Sequence, residues 1–216
     1  MTSSSRTAWS CAALSLAGCA GLIRQGRSAA ETRQARGAGR DRLLSCLMQI
    51  LRTARLSLRE FTPLDAPFLL RLVNEPGWIH NINDPGVRTL DDALTWAAGR
   101  LFKAYRELGH GFWAMQRQQD GVLVGMCGLF KRAALPEPDL GYALLAEHEG
   151  QGYALEAARG CVAHARDVLG WPTLMAITAV DNPRSVALLG KLRFVEQGQE
   201  QLEGYNEPSR VFRLVL

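Results

Sequence analysis

Hydrophobic positions change rhythm along the chain, and each rhythm predicts an element. Residues 53–61 (TARLSLREF) set Leu56 and Leu58 between polar neighbours, the period of two expected of a half-buried strand. Thr62-Pro63-Leu64-Asp65 then supplies a Thr N-cap, a proline at the first helical position and an acid at N3. Leu64, Phe68, Leu69 and Leu72 mark one apolar face of the helix that follows. Residues 74–88, rich in Gly, Pro, Asn and Asp, predict a loop. Thr89-Leu90-Asp91-Asp92 opens a second helix by the same capping logic, with Ala93, Trp96, Ala97 and Leu101 on its face.

Residues 111–116 and 122–130 are apolar strand runs joined by the turn Gln119-Asp120-Gly121, which predicts a hairpin. Residues 139–145 (DLGYALL) add a third strand. A long helix follows, with apolar positions 154, 157, 158, 161, 162, 165, 168 and 169, until Gly170 and Pro172 stop it. Residues 173–180 are β-branched and apolar, hence a buried strand. Asp181-Asn182-Pro183 caps a short helix through Leu192, and residues 194–197 and 211–216 are the last strands. The order β-α-α-β-β-β-α-β-α-β-β predicts an α/β fold with a mixed sheet.

Charge is unevenly spread. Of 25 Lys+Arg and 21 Asp+Glu, residues 1–47 hold seven arginines against Glu31 and Asp41, leaving 18 against 19 in the remainder. The basic pI of about 9.0 therefore belongs to the N-terminal segment and gives no warrant for nucleic-acid binding by the folded part. Residues 8–18 (AWSCAALSLAG) are apolar, follow Arg6 and precede Cys19, an arrangement that resembles a lipoprotein signal but is too short to span a bilayer. Residues 1–47 are read as a disordered or mis-called extension. Met48 opens the expected domain, residues 48–216, with no stable membrane association. Cys11, Cys19, Cys46, Cys127 and Cys161 form no metal-ligand spacing, so reduced thiols in a cytoplasmic protein without a metal are expected.

Candidate chemistry concentrates in Glu147-His148-Glu149-Gly150-Gln151-Gly152-Tyr153-Ala154, between a strand and the long helix. Two glycines let the backbone approach a ligand, and the helix start adds its positive dipole end, so the place favours a diphosphate. Gly-x-Gly turns before helices also occur as plain turns. The third glycine of a dinucleotide fingerprint is missing, and no Gly-Lys-Ser/Thr follows. A second run is Val180-Asp181-Asn182-Pro183-Arg184-Ser185, followed by Leu192-Arg193-Phe194.

With Ala54-Arg55-Leu56-Ser57-Leu58-Arg59 and Gly141-Tyr142, these segments resemble the GNAT acetyltransferase superfamily over about residues 50–216. The resemblance is nearest to the branch that acetylates ribosomal-protein N-termini. It implies one domain with a splayed strand pair and helices on both faces, and transfer of an acetyl group from acetyl-CoA to a primary amine by direct attack. The acceptor would be a protein N-terminus or a small molecule, and the enzyme a monomer or homodimer. A CoA-binding module without activity is the alternative. By resemblance, the amides of Gly150, Gln151, Gly152, Tyr153 and Ala154 hold the pyrophosphate. The pantetheine arm lies along residues 142–145, with an N–H near Leu144 on the thioester carbonyl and Leu145 beside it. Asn182 bonds the pantetheine amide, and Ser185 lies near the sulfur.

Three departures from the family pattern stand out. Leu189 occupies the place of a frequent Tyr donor, which leaves Ser185 as the candidate acid. Arg193 replaces a usual Gly, and Glu147 adds a carboxylate beside the expected pyrophosphate. Glu203, Asp139 or a solvent base remain open as the general base. His80, Asn81 and Asn83 occupy the acceptor-side loop or a solvated one, Trp78, Trp96 and Trp113 fill the core or line an acceptor pocket, and His148 and Glu149 are expected to face solvent.

Overall fold

The computed structural model describes residues 49–203, 205 and 207–216. The expected extension over residues 1–47, and Met48, lie outside the described residues. The elements are β1 (Gln49–Arg52), β2 (Leu56–Arg59), α1 (Ala66–Val73), α2 (Pro76–Asn81), α3 (Leu90–Ala97), α4 (Lys103–Leu108), β3 (Phe112–Arg117), β4 (Leu123–Phe130), β5 (Asp139–Leu144), α5 (Tyr153–Asp167), β6 (Thr173–Ala179), α6 (Pro183–Lys191), β7 (Val195–Glu200) and β8 (Ser209–Val215). Wider turns at Ala98–Phe102 carry α3 into α4.

All strands join one sheet in the order β1-β2-β3-β4-β5-β6-β8-β7. Every pairing is antiparallel except β5 with β6, which run parallel and share the single rung Asp139–Met175. The expected α/β fold with a mixed, splayed sheet is therefore what the chain adopts. Strand alternation sorts the core onto two faces. Trp113, Met115, Cys127, Leu129 and Leu140 pack with α5 residues Ala157, Ala158 and Cys161 on one face. Ala114, Met126 and Leu145 pack with Leu69, Leu72, Ala93 and Ala97 of α1 and α3 on the other.

Both expected capping boxes form. Thr62 and Asp65 satisfy each other's backbone ahead of α1, and Thr89 and Asp92 do so at α3. Asp65 also takes two 2.8 Å bonds from Arg59 inside the protein. Burial alone would raise its carboxyl pKa, but the bonds from Arg59 and Thr62 outweigh it and hold the group below its ordinary value.

Three expectations change. Residues 53–61 do not form one strand: Thr53 N–H bonds Leu56 at 2.9 Å, closing a hairpin that adds β1. The turn has no Gly, Pro or Asn to announce it, and its support is Thr53 Oγ1 accepting from Leu56 N–H at 3.1 Å. The expected loop over residues 74–88 contains α2, because Pro76 pre-sets the first turn and Trp78 packs edge-on to Trp96 with centroids 6.1 Å apart. His148 is buried rather than solvated, since the short turn Ala146–His148 brings its ring inward.

The end of α6 shows the cost of one departure. Arg193 N–H bonds Gly190 and Phe194 N–H bonds Leu189, both at 3.0 Å, which is the Schellman arrangement. It requires a left-handed residue, and Arg193 sits at φ 66°, the one non-glycine positive φ among the described residues. Its side chain is exposed, so the strain has no compensating burial. Arg193→Gly should stabilise the fold by about 0.5–1 kcal/mol, seen as a higher urea midpoint at unchanged slope. A lower midpoint would show that contacts of the arginine outweigh the strain.

Candidate active site

β5 and β6 part immediately after their one rung, and the parting defines the site. Met175 N–H bonds the carbonyl of Pro138 at 2.8 Å, while Leu145 N–H bonds Val124 of the β4 side at 3.1 Å. Strand alternation then directs the peptide groups of Tyr142 and Leu144 toward β6, and those of Ala143 and Leu145 toward β4. Beyond the rung no strand faces Tyr142 and Leu144, so their N–H groups line an open slot. The amide of Leu144 is thus available to an extended ligand, and that of Leu145 is committed to the sheet. The Leu145 side chain is 2% exposed and packs on the α1–α3 face.

A cradle stands at the end of β5. Gly150 and Gly152 take φ 73° and 81°, conformations that turn successive amides the same way. Gly152 is the N-cap of the fifteen-residue α5, without a side-chain cap. The N–H groups of Gly150, Gln151, Gly152, Tyr153 and Ala154 have no acceptor among the described residues. Gly150, Gln151 and Gly152 are exposed, and a Cβ built on Gly150 would meet nothing within 4 Å. Free donors, open space and a helix dipole fit a diphosphate.

Side chains hold this cradle in place from far along the chain. Glu156 accepts from Thr53 Oγ1 at 2.5 Å, Arg55 N–H at 2.7 Å and Arg55 Nε at 2.6 Å. Burial would raise its carboxyl pKa, but these three bonds lower it overall. Arg55 also bonds the Gln151 carbonyl at 3.0 Å and lies 4.6 Å over the Tyr153 ring. The carboxylates nearest the cradle are paired outward: Glu147 with Arg71, and Glu149 with Arg184 at 2.6 Å. The feared repulsion from Glu147 is thereby reduced.

The proposed proton-handling groups fall on opposite faces. Ser185 sits in the first turn of α6, its N–H on the Asn182 side-chain oxygen at 3.0 Å, so Asn182 is the helix cap. The Asn182 amide NH2 has no partner among the described residues and remains able to donate. Ser185 Oγ lies 2.7 Å from the Tyr142 hydroxyl, across the slot. Leu189 is fully buried and reaches no slot. Asp139, at the rung, falls on the other face by alternation with Ala143 and Leu145. It is 0% exposed, Oδ2 accepts from Arg132 Nε at 2.8 Å, and Oδ1 has no partner among the described residues. Burial raises its carboxyl pKa, with Arg132 opposing. Arg132 also bonds the Tyr205 hydroxyl, which ties the β4–β5 connection to that before β8. Glu203 is exposed on that second connection.

Of the acceptor-side residues, His80 bonds Asp181 at 3.0 Å beside the Asn182 cap, and Asn81 bonds the Gly77 carbonyl of its own helix. Trp78 and Trp113 are buried, as expected of core residues. Among the described residues no group of three or more His, Cys, Asp or Glu could hold a metal, and no helix is long and apolar enough to cross a membrane.

Sequence reasoning missed the Tyr142 hydroxyl, the Arg55–Glu156 clamp and Arg132. The clamp's partners lie 101 positions apart, and Tyr142 and Ser185 are 43 apart, so no local pattern could pair them.

A sheet opened at one seam, with free amides at the following helix, is a place for an extended ligand that carries a diphosphate, and comparison with known proteins gives the family. Residues 55–195 match the acetyltransferase (GNAT) domain, and the chain belongs to that family of acyltransferase enzymes. An uncharacterized N-acetyltransferase of Bacillus subtilis (strain 168) is 25% identical over 154 residues, 70% of this chain and 86% of that one. An acetyltransferase of Agrobacterium tumefaciens superposes with TM-score 0.64 at 27% identity, covering 77% of this chain and 94% of that one. A ribosomal L7/L12 alpha-N-protein acetyltransferase solved with coenzyme A shares the fold, with TM-score 0.66 at 17% identity and coverage of 78% and 98%.

Losing the clamp should loosen the cradle. Glu156→Ala is expected to cost about 1–2 kcal/mol of stability, because it removes three charge-assisted bonds in a partly buried place. Urea unfolding measures it, and an unchanged midpoint would mean the clamp is solvated in solution.

Proposed function

We propose that this chain transfers the acetyl group of acetyl-CoA to a primary amine, the amine of a protein N-terminus or a small molecule, by direct attack. The row of unpaired amides at residues 150–154, beside a slot lined by peptide N–H groups, carries the reading. Gly150, Gln151, Gly152, Tyr153 and Ala154 bind the pyrophosphate, Leu144 N–H polarises the thioester carbonyl, and the Asn182 amide donates to the pantetheine chain. Acetyl-CoA supplies the activated acyl group. Ser185 protonates the departing sulfur.

Asp139 is the base in this reading, in preference to Glu203. Its free Oδ1, its burial and its raised pKa suit a group that takes a proton from an incoming ammonium. Glu203 is exposed and has no such environment. The same reading places the enzyme in the cytoplasm, with Cys127 and Cys161 as buried thiols. Relatives differ in acceptor: one solved structure is named for a ribosomal-protein N-terminus and another for spermidine. Both classes therefore enter the test.

Gly150→Asp and Gly150→Asn are nearly isosteric, and both tolerate a left-handed backbone. The Asp variant alone adds charge to the cradle and should bind CoA at least ~10-fold more weakly than the Asn variant. Equal affinities by calorimetry would remove the cradle assignment. Turnover is read as thiol release from acetyl-CoA offered with spermidine, lysine, and Ala- or Ser-initiated heptapeptides. Binding without release on any of them would favour a silent CoA-binding module.

Asp139 acts when ionised, so kcat/KM on the acceptor that works should fall as pH drops through its raised pKa. Asp139→Asn should lower kcat/KM by about 10²-fold and abolish that acidic limb. A retained limb would move the base elsewhere.

A further inference from the structure

The 2.7 Å contact between Tyr142 Oη and Ser185 Oγ joins β5 to α6, the two elements on either side of the slot. Nothing in the reading above uses Tyr142. A serine hydroxyl has one proton, and its usefulness to a leaving sulfur depends on where that proton points. If Ser185 spends it on Tyr142, nothing is left for the sulfur. If Tyr142 donates, Ser185 keeps its proton for the slot, and its oxygen is polarised toward releasing it.

We propose that Tyr142 is the positioning residue for the leaving-group acid: it donates to Ser185 Oγ across the slot and so directs the Ser185 proton at the cofactor's sulfur. This rests on the CoA-binding reading. Two observations favour that direction of donation. A phenol is a stronger acid than an alkyl alcohol, so of the two hydroxyls Tyr142 is the better donor, and burial, which pushes its pKa up to about 12, keeps it protonated. Its alternative acceptor, the Ser185 carbonyl, lies at 3.4 Å, beyond good hydrogen-bond range. Ser185 is itself held, because its N–H is fixed on Asn182.

The arrangement also bears on Leu189. Tyr142 brings a phenol from β5 to the first turn of α6, and Leu189, one turn on, packs in the same core cluster as Phe194. In the transfer, the amine nitrogen forms the bond to the thioester carbon and the carbon–sulfur bond breaks with its electron pair on sulfur. Asp139 takes the first proton from the ammonium before attack; Ser185 then gives sulfur a proton, and the second proton, shed by nitrogen after attack, restores Ser185. Tyr142 keeps its proton throughout.

The test uses CoA itself and needs no acceptor. A hydroxyl proton aimed at the sulfur stabilises the thiolate, so the bound thiol should ionise at lower pH than in variants lacking the arrangement. Thiolate ultraviolet absorbance of the CoA complex, minus the free protein, reads this. Tyr142→Phe and Ser185→Ala should each raise the bound thiol's pKa by about one unit, and the double variant should go no further. CoA affinity by calorimetry should stay within about twofold for Tyr142→Phe, since the phenol does not touch the cradle. If CoA binds and Tyr142→Phe leaves the thiol pKa unmoved, or lowers it, Ser185 donates to Tyr142 and the proposal is overturned. If wild-type protein binds no CoA at all, it is the CoA-binding reading that has failed.

Discussion

β5 and β6 meet through one rung and then separate, while each stays fully paired on its outer side. Peptide N–H and C=O groups are costly to leave without partners, so a sheet opened at its middle needs water or another polar chain in the gap. An extended ligand with amides of its own satisfies that need as an added strand would. The opening is rigid because six rungs from β4 and seven from β8 hold its two walls. Everything at the site is positioned by this seam: the cradle ends one wall, the Asn182 cap ends the other, and Asp139 sits at its apex.

Charge around the cradle is organised by the same requirement. Glu147, Glu149 and Glu156 all lie within a few residues of the free amides, which would be a poor place for a diphosphate if they were unmatched. Each instead faces an arginine from another element: Arg71 of α1, Arg184 of α6 and Arg55 before β2. Exposed pairs of this kind add little stability. Their effect is on the local field, where they remove three negative charges that would oppose the helix dipole. Only the Arg55–Glu156 pair is backed by further hydrogen bonds, and it alone is fixed to the turn that presents the amides.

Wherever the chain announces an element by periodicity or by a capping box, the fold was legible in the sequence. α1, α3 and α5 fall where Thr62, Thr89 and the 154–169 rhythm put them, and the strands β3 to β6 where the apolar runs at 111–116, 122–130, 139–145 and 173–180 do. The hairpin at Thr53 and the helix α2 were not legible, because each is decided by tertiary contacts: Glu156 holds the first, and Trp78 against Trp96 holds the second. The cradle was legible because backbone chemistry follows from Gly150 and Gly152 alone. The partners of Ser185 and Asp139 were not, since Tyr142 and Arg132 read locally as an ordinary strand tyrosine and a loop arginine. His148 misled for the opposite reason, its polar neighbours suggesting solvent where a short turn buries it.

On the proposed reading, the sheet also separates two proton transfers. A weakly acidic hydroxyl and a carboxylate keep their own protonation states because their acidities differ, and each has only to face its own partner. Here the hydroxyl pair Tyr142–Ser185 belongs to the α5–α6 face, while the Asp139 carboxylate belongs to the α1–α3 face, with the β5 backbone between them. Their environments push in compatible directions. Burial keeps the phenol protonated at any working pH, and the same effect lifts the carboxyl toward neutrality while Arg132 keeps its ionised form accessible. On this reading the ammonium loses its first proton to Asp139 on one side of the strand while sulfur gains one from Ser185 on the other, and the seam between β5 and β6 joins the two.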